Sequence, residues 1–355
     1  MGKKIAIVIA LIGILIVGLN WSRISSFLDR EGRTINNSEV KLFLLNNTTV
    51  DDVVSVLVES GVLENGEEFK AYVGQNNVDP ADFASGKFVI LSQTKISTLV
   101  NGLLKGENGQ GDLEVTVNVV FNRCKDIYDV AGSISKCIQA DSISLIECFT
   151  SQDVLNKYGF TIEQLPAIFI PRKYEFYFDT DARMFISFMA EEFKSFWTSE
   201  RMAKLNTIGL KSPSQAVTLA SIVYSEQSKV EEEWSVIARL YLNRISKGQK
   251  LQSDPTFKFC WGGELDGVER LMGRHRDIDC PYNTYKYEGL PPGPISITPS
   301  VVVDAVLNPA DNNFTFMCAK PDYSGRHNFT SSDVQHVKNA RIYQNWLKSE
   351  LKKRN

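Results

Sequence analysis

Residues 212–226 decide how the C-terminal half of the chain folds, and they read SPSQAVTLASIVYSE. Ser212 is a good N-cap, Pro213 suits the first helical position, and Gln215 can close a capping box. Apolar residues then recur at helical spacing, at Ala216, Leu219, Ala220 and Val223. This spacing predicts a helix with one buried face.

One acid ends this apolar stripe. Glu226 follows Leu219 and Val223, so it lies at the end of the buried face of the helix. Burial penalises the charged form of a carboxyl group, so an acid held there is favoured in its protonated form. A carboxyl that is protonated near pH 7 is what a general acid requires. The alternative is a surface glutamate whose neighbour Gln227 turns inward instead.

Two polar loops follow in this half of the chain. Residues 251–256 (LQSDPT) place an amide, two hydroxyls and a carboxylate just after a helix stop at Gly248. Residues 283–285 (NTY) lead into the rigid loop 289–295 (GLPPGPI), which can hold backbone groups in place with little entropy to lose. Amides, a tyrosine face and fixed backbone groups are typical of sugar recognition, although Pro/Gly clusters are also ordinary structural turns.

The predicted substrate-binding residues come from these loops and from one later histidine. They are Gln252, Ser253, Asp254, Thr256, Asn283, Tyr285, Pro292, Gly293 and His327. The isolated His327 can contact substrate or be a satisfied structural residue. The three histidines are scattered and the six cysteines contain no C-x-x-C pair, so we predict neither a metal site nor a cofactor.

The composition is that of an ordinary globular protein. The chain has 355 residues, 43% of them hydrophobic and 23% charged, which is enough for two or three domains that each bury a core. Its 39 Lys and Arg against 42 Asp and Glu give a formal net charge of -3. No polybasic surface is implied, so we predict no nucleic-acid partner.

Residues 1–22 predict a membrane anchor, and the polar residues 23–38 predict a tether. Two lysines precede an apolar run from Ile5 to Leu19, and Trp21 can sit at the interface, so residues 5–21 can enter the inner membrane. Because the positive flank stays in the cytoplasm, we expect a single-pass protein whose bulk is periplasmic or otherwise extracytoplasmic. The alternative is a cleaved signal peptide, but its small-residue cleavage site is poorly represented.

Export would let the cysteines pair, because disulfides persist in oxidising compartments. Cys260 and Cys280 flank a polar, glycine-rich segment and are the first pair to test for a disulfide. The alternative is a set of buried free thiols. Sequence alone does not choose among the connectivities.

Residues 39–150 predict a small α+β module ahead of a mainly helical domain at 151–350. A strand is indicated near 40–44 and a helix beginning near Val50, and a second alternating strand spans 113–119. The residues here are apolar, hydroxyl-bearing or surface charges, which suits a binding or positioning module. A spacer that holds the next domain off the membrane is the alternative.

Seven motifs occur in order between residues 219 and 329. They are LASIVYSE at 219–226, ARLYLNR at 238–244, LQSDPT at 251–256, NTY at 283–285, GLPPGPI at 289–295, NP at 308–309 and GRHNF at 325–329. Together with the apolar N-terminus and the strand–helix module, this series closely resembles the YceG-like family, the endolytic murein transglycosylases. Seven ordered motifs are far more specific than any one of them.

The resemblance implies both a fold and a reaction. The fold would be α+β, with a single N-terminal transmembrane helix, a LysM-like module at 39–150 and a catalytic domain with a loop-rich cleft at 151–350. The substrate would be peptidoglycan glycan strands, cleaved internally at the β-1,4 bond between N-acetylmuramic acid and N-acetylglucosamine to leave a 1,6-anhydro end. Glu226 falls on the family's catalytic glutamate. Termination of nascent strands, beside peptidoglycan synthases of the elongation or division machinery, is the implied role.

The chain also departs from the family pattern. Tyr224 stands where the family often has a further acid, and Lys173 stands where it has Thr. Thr48 and Cys124 replace glycines that are frequent at turns of the N-terminal module. The departures at Lys173, Thr48 and Cys124 bear on glycan binding by that module rather than on the catalytic site. A strictly required carboxylate would not be absent, so Tyr224 favours Glu226 as the catalytic residue.

Two other functions remain open from the residues. A muramidase that uses water normally requires a second carboxylate about 5–9.5 Å from the acid, and Asp254 is the candidate in these motifs. A non-catalytic glycan-binding scaffold is the third hypothesis. The mass of the products separates the first two, because a reducing end carries one water more than an anhydro end.

Overall fold

The computed structural model describes residues 32–45, 48–107, 110–121, 124–265 and 273–354. These residues form two compact units. The first holds the described chain up to Val117 together with Tyr177–Asp179, and the second holds Asn118–Phe176 and the described chain from Thr180 onward. The described part is mixed helix and sheet, so the predicted α+β class is confirmed.

The first unit is built on a three-stranded sheet in the order β1-β2-β3, whose paired strands are antiparallel. Its strands are β1 Val40–Leu44, β2 Gly86–Ile90 and β3 Glu114–Val115, and its helices are α1 Val50–Glu59, α2 Glu67–Gln75 and α3 Ile96–Leu103. Thr49 caps α1 through a capping box with Asp52, close to the predicted start. Alternate residues of β1 and β2 face a core shared with the three helices.

The end of the predicted tether belongs to this first unit. Thr34 is buried, and its backbone N–H donates to the carbonyl of Thr94 at 2.8 Å. The backbone N–H of Ile35 donates to the carbonyl of Val62 at 2.8 Å. Residues 32–36 are therefore packed against the module rather than forming a free tether.

The second unit begins earlier than the predicted boundary at 150/151. Its first elements are β4 Val117–Val120, β5 Lys173–Phe176, α4 Ile127–Ile134, α5 Ser142–Thr150 and α6 Gln152–Tyr158. The ring of Phe149 on α5 lies 5.3 Å from that of Phe169 and 6.0 Å from that of Phe185. Residues 118–150 group with the second unit because they share this aromatic core.

The alternating segment 113–119, predicted as one strand, is divided in the structure. β3 pairs with β2, whereas β4 pairs with β5 in a separate two-stranded sheet. The alternation of apolar residues is the same in both parts, so the hydrophobic pattern gave no sign of the break. Pairing partners, which are distant in sequence, decide where one strand ends and the next begins.

The centre of the second unit is helical. Its remaining helices are α7 Ala182–Phe196, α8 Ser199–Thr207, α9 Pro213–Glu226, α10 Trp234–Ser246, α11 Asp254–Cys260, α12 Gly273–Arg276 and α13 Ser300–Leu307. Helix α9 packs against α10 and α13 and is buried almost throughout. Ser212 caps α9 as predicted, while the Gln215 amide oxygen accepts from the backbone N–H of Lys211 at 2.8 Å instead of closing a capping box.

A hairpin and a long helix complete the chain. Strands β6 Phe316–Ala319 and β7 His327–Thr330 pair antiparallel, and helix α14 Asp333–Arg354 packs on both. None of the helices in the described ranges is long and apolar enough to cross a membrane. The predicted anchor at residues 1–22 lies outside the described residues.

Candidate active site

Glu226 is the last residue of α9, where the helix opens onto a cavity of about 450 Å³. Its Oε1 accepts two hydrogen bonds, from the Ser253 hydroxyl at 2.5 Å and from the Tyr241 hydroxyl at 2.8 Å. Its Oε2 has no hydrogen-bond partner among the described residues. This oxygen is also not fully buried. Oε2 is therefore the oxygen left for a ligand in the cavity.

The surroundings of Glu226 favour its protonated form. Burial raises the pKa of the carboxyl, and the hydroxyls of Ser253 and Tyr241 only partly oppose this because they stabilise the carboxylate. The neighbouring charge of Asp254 raises the pKa further. Because Oε1 accepts two hydrogen bonds, Oε2 is the oxygen that carries the proton in the protonated form. The arrangement is that of a carboxyl group able to donate a proton into the cavity.

A cluster around Asp254 forms another part of the cavity wall. Its Oδ1 accepts from the Tyr285 hydroxyl at 2.5 Å, and Arg276 Nη2 lies 3.3 Å from the same oxygen. The Arg276 guanidinium also lies 4.9 Å from the centre of the Tyr285 ring. Asp254 is thus already paired with a cation and a phenol, while the exposed Gln252 lines the same cavity.

Three of the predicted substrate-binding residues are buried supports. Ser253 faces Glu226 rather than open solvent, and the Thr256 hydroxyl donates to the carbonyl of Ser253 at 2.6 Å. The Asn283 amide donates to the carbonyls of Arg276 and Ile278, each at 2.8 Å. The structure therefore corrects the prediction for Thr256 and Asn283: their polar groups are used within the protein, holding the loops that carry Ser253 and Arg276.

The Pro/Gly loop does not reach this cavity. Pro292 lines a separate cavity of about 400 Å³. A side chain at Gly293 would place its Cβ 1.8 Å from the carbonyl oxygen of Glu163, so the loop packs tightly on its own protein. The backbone N–H of Ile295 donates to the buried Ser221 hydroxyl of α9 at 3.0 Å. Gly293 therefore has a structural role, whereas Pro292 is exposed and its contact with substrate stays a prediction.

His327 also lies outside the cavity lining. Its Nδ1 is 2.7 Å from Glu233 Oε2, and its backbone N–H donates to Glu233 Oε1 at 2.8 Å. Burial opposes ionisation of Glu233, but these hydrogen bonds from His327 outweigh it and lower the Glu233 pKa. Gln227 joins the cluster through its amide, 3.1 Å from Glu233. In the structure, His327 is thus hydrogen-bonded within the protein, as the interpretation of a satisfied structural residue requires.

Both Glu226 and Gln227 are turned inward, although the sequence presented them as alternatives. Glu226 is the last helical residue, and Gln227 leaves the helix with an extended backbone (φ -143°, ψ 96°). The change in backbone direction sends Gln227 into the cluster with Glu233 while Glu226 keeps the helical direction. On one continuous helix with a single buried face, two consecutive residues point in different directions, so the spacing along the chain predicts only one of them to be buried.

Several residues of the site were not among the predicted ones. Tyr241 lies in the ARLYLNR motif at 238–244 and was given no role there, yet its buried hydroxyl pairs with Glu226. Arg244 lines the cavity with its guanidinium held by the carbonyls of Thr315 and Leu251, at 2.6 and 2.7 Å. The signal for Tyr241 was available, because a buried tyrosine hydroxyl normally requires a partner.

Cys260 and Cys280, the first pair to test, form a disulfide. It joins the end of α11, which begins at Asp254, to the segment that leads into Asn283 and Tyr285. The other four cysteines are free, and all six lie in the described residues. The disulfide therefore ties together the two parts of the chain that meet at Asp254.

Comparisons with known proteins agree on one family. The model of the YceG-like family matches residues 43–342. The endolytic murein transglycosylase of Bacillus subtilis (strain 168) is 24% identical over 326 residues, covering 87% of this chain and 86% of that protein. The endolytic murein transglycosylase of Streptococcus pneumoniae (strain ATCC BAA-255 / R6) is 22% identical over 320 residues, which cover 82% of this chain but only 56% of that protein.

A solved structure shares the fold. The crystal structure of a putative YceG-like protein from Listeria monocytogenes aligns with a TM-score of 0.53 and 20% sequence identity. The alignment covers 85% of this chain and 99% of the other.

Proposed function

Because the chain belongs to the YceG-like family, we propose that it is an enzyme, a murein transglycosylase that acts as a lyase on peptidoglycan. In detail, it cleaves the β-1,4 bond between N-acetylmuramic acid and N-acetylglucosamine within glycan strands and leaves a 1,6-anhydro end. The observation that carries this proposal is the Glu226 carboxyl, whose Oε1 is held by two hydroxyls and whose Oε2 is left for the cavity.

The reaction needs one carboxyl group used twice. Glu226 donates its Oε2 proton to the glycosidic oxygen as the bond from that oxygen to C1 of the muramic sugar breaks. Positive charge develops at C1, and the Ser253 and Tyr241 hydroxyls stabilise the carboxylate that remains. The carboxylate then takes the proton of the muramic C6 hydroxyl while O6 attacks C1. No water is consumed, and Glu226 ends protonated as it began.

We assign a role in binding the sugars, not in transferring the proton, to Asp254, Arg276 and Gln252. Asp254 is paired with Arg276 and Tyr285, so its charge is compensated while it remains beside the cavity. An ionised Asp254 favours protonated Glu226 and the developing positive charge at C1. The exposed Gln252 amide offers a donor and an acceptor to sugar hydroxyls or an N-acetyl group.

We place this reaction outside the cytoplasm, with residues 5–21 in the inner membrane and peptidoglycan synthases as neighbours. The apolar run after two lysines supports the anchor. The Cys260–Cys280 disulfide supports an oxidising compartment. In that position the enzyme would end nascent strands.

Product mass tests the proposed reaction. Glycan strands digested by the full chain are expected to yield fragments with anhydro ends, each lighter by one water than a reducing end. Exclusive formation of reducing ends would instead support a hydrolase, with Asp254 as the second carboxylate in the same cavity. Binding without any new ends would support a glycan-binding scaffold.

Replacing Tyr241 by Phe is expected to move the alkaline limb of the kcat/KM profile to higher pH. The Tyr241 hydroxyl stabilises the Glu226 carboxylate, so its loss raises the Glu226 pKa further. Tyr282→Phe is the matched control, because its half-buried ring packs on Phe259. The measurement is the pH dependence of cleavage; a shift to lower pH would contradict the assignment.

A further inference from the structure

The C-terminal helix α14 supplies one wall of the Glu226 cavity. His336, Ala340, Tyr343 and Gln344 line the cavity together with Glu226 and Arg244. Their spacing of four, three and one residues brings them to one face of the helix. The family match ends at residue 342, so Tyr343 and Gln344 lie beyond it. None of these residues was assigned a role above.

His336 presents a hydrogen-bond donor on this wall. Its ring stacks on Phe316 with centres 4.9 Å apart, and its Nδ1 is buried with no partner among the described residues. Burial lowers the His336 pKa, and the charge of Arg244 lowers it further, so the ring is neutral. In folded proteins a buried N–H without an acceptor is rarer than a buried acceptor without a donor. The partnerless Nδ1 is therefore the acceptor nitrogen, and the hydrogen belongs on Nε2. Nε2–H is then available to a ligand in the cavity.

An aromatic cluster continues from the same wall. The Tyr343 ring lies 5.6 Å from that of Trp346, which lies 4.8 Å from that of Tyr323 in the turn between β6 and β7. Trp346 is half-buried, and Tyr323 is 66% exposed. Trp346 follows Tyr343 by three residues, about 4.5 Å further along the helix axis. Tyr343 therefore joins the cavity to an aromatic surface outside it.

The chemistry of this face fits an uncharged sugar. Where α14 lines the cavity it offers a neutral imidazole, an amide, a phenol and ring surfaces, but no formal charge. Outside the cavity, the Tyr323 hydroxyl donates to the Glu350 carboxylate, whose charge is compensated by Lys353. A pyranose ring has hydroxyl and N-acetyl groups for such donors and acceptors and a C–H face that packs on aromatic rings. The carboxylates of peptide stems would instead require cations, and the cavity's arginines, Arg244 and Arg276, lie on other elements. The glycan backbone is thus favoured over the stems.

We propose that His336, Tyr343, Gln344 and Trp346 of α14, with Tyr323, form a distal subsite for a sugar of the same glycan strand whose scissile bond lies at Glu226. This inference rests on the proposed function. The subsite holds the strand beyond the bond being broken, so it favours long strands over short ones.

Binding to glycan strands of graded length, without stem peptides, tests the subsite. Each N-acetylmuramic acid of such strands carries a lactyl carboxylate, so the uncharged sugar for this face is N-acetylglucosamine. The full chain carrying Glu226→Gln serves as the reference, because it can bind strands without cutting them. Adding Trp346→Ala is expected to weaken binding of long strands roughly tenfold, the loss typical of a truncated aromatic anchor. Trp346→Phe should keep most of the affinity because it keeps a ring. Tyr128→Ala, which removes an exposed tyrosine of α4 in the same unit, is the control expected to change nothing.

A second variant distinguishes loss of the subsite from misfolding of the protein. Trp346 is half-buried, so thermal unfolding accompanies each measurement. Tyr323→Asn removes a largely exposed ring at a position with φ of 58°, a conformation that Asn tolerates. It is expected to weaken binding in the same length-dependent way. With Glu226 intact, the rise in KM caused by either variant should grow with strand length.

The outcomes separate this inference from the proposed function. If folded Trp346→Ala and Tyr323→Asn variants bind long strands as tightly as the reference, the subsite is overturned while strand cleavage by wild type stands. If the reference binds no strand of any length and the wild type makes no new ends, the subsite and the proposed function both fail. A length-dependent loss in both variants supports the subsite.

Discussion

Replacing Glu226 by Gln is expected to reduce the rate of glycan cleavage by ~10²–10⁴, the usual contribution of a positioned acid and base. The amide is nearly the same size and its oxygen can still accept from Ser253 and Tyr241, so the site keeps its geometry. It has no proton to donate and cannot recover one from the C6 hydroxyl. Rates and product masses from purified glycan strands provide the measurement.

The sign of the pH dependence follows from the raised Glu226 pKa. Activity requires the protonated acid, so kcat/KM should fall as the pH rises through that pKa, which lies above the ordinary value of 4.5. Folding must disfavour the ionised form, so stability attributable to this group also falls as the pH rises above 4.5. Glu226→Gln removes that penalty. Its thermal unfolding temperature should equal or exceed that of wild type, with the difference larger at pH 8 than at pH 5.

Glu232→Gln is the matched control for this substitution. Glu232 lies a few residues away and is largely exposed, and it makes a surface ion pair with Arg326. Its loss should leave both the rate and the stability near wild type, since exposed ion pairs contribute little. Wild-type rates in Glu226→Gln would remove the assignment of the acid. A large loss of stability in that variant would contradict the buried, protonated state.

Removing the Cys260–Cys280 disulfide is expected to lower the free energy of unfolding by about 3 kcal/mol. The cysteines are 20 residues apart, and closing a loop of that length restricts the unfolded chain by roughly this amount. The double variant Cys260→Ser, Cys280→Ser should therefore unfold at a lower urea concentration than oxidised wild type. Unfolding must be followed with a probe of the second unit, which contains both cysteines.

The same double variant should also bind glycan more weakly. The disulfide joins α11 to the segment before Tyr285, and Tyr285 contacts Asp254 at the start of α11. Loosening this connection frees Arg276 and Tyr285 from Asp254, so KM is expected to rise. Cys148→Ser removes a free, half-buried cysteine and serves as the control. An unchanged urea midpoint in the double variant would show that the disulfide does not stabilise the protein.

Helices were predicted well where their signals are local. Ser212 and Pro213 begin α9, Thr49 caps α1, and both helices lie where caps and apolar spacing placed them. These signals act within one or two turns, so they need no knowledge of distant residues. The divided strand near Val115 was missed because pairing with β2 or β5 is a long-range choice.

The sequence by itself determined that an acid ends a buried helix and that polar loops follow it. Only the tertiary structure decided which polar groups reach the cavity. Asn283 carries the same amide group as Gln252, but it donates to the carbonyls of Arg276 and Ile278, and the Thr256 hydroxyl donates to the carbonyl of Ser253. Tyr241 and α14 enter the cavity wall from distant positions in the sequence. A polar side chain binds whichever partner the fold brings nearest, and that partner cannot be read from spacing along the chain.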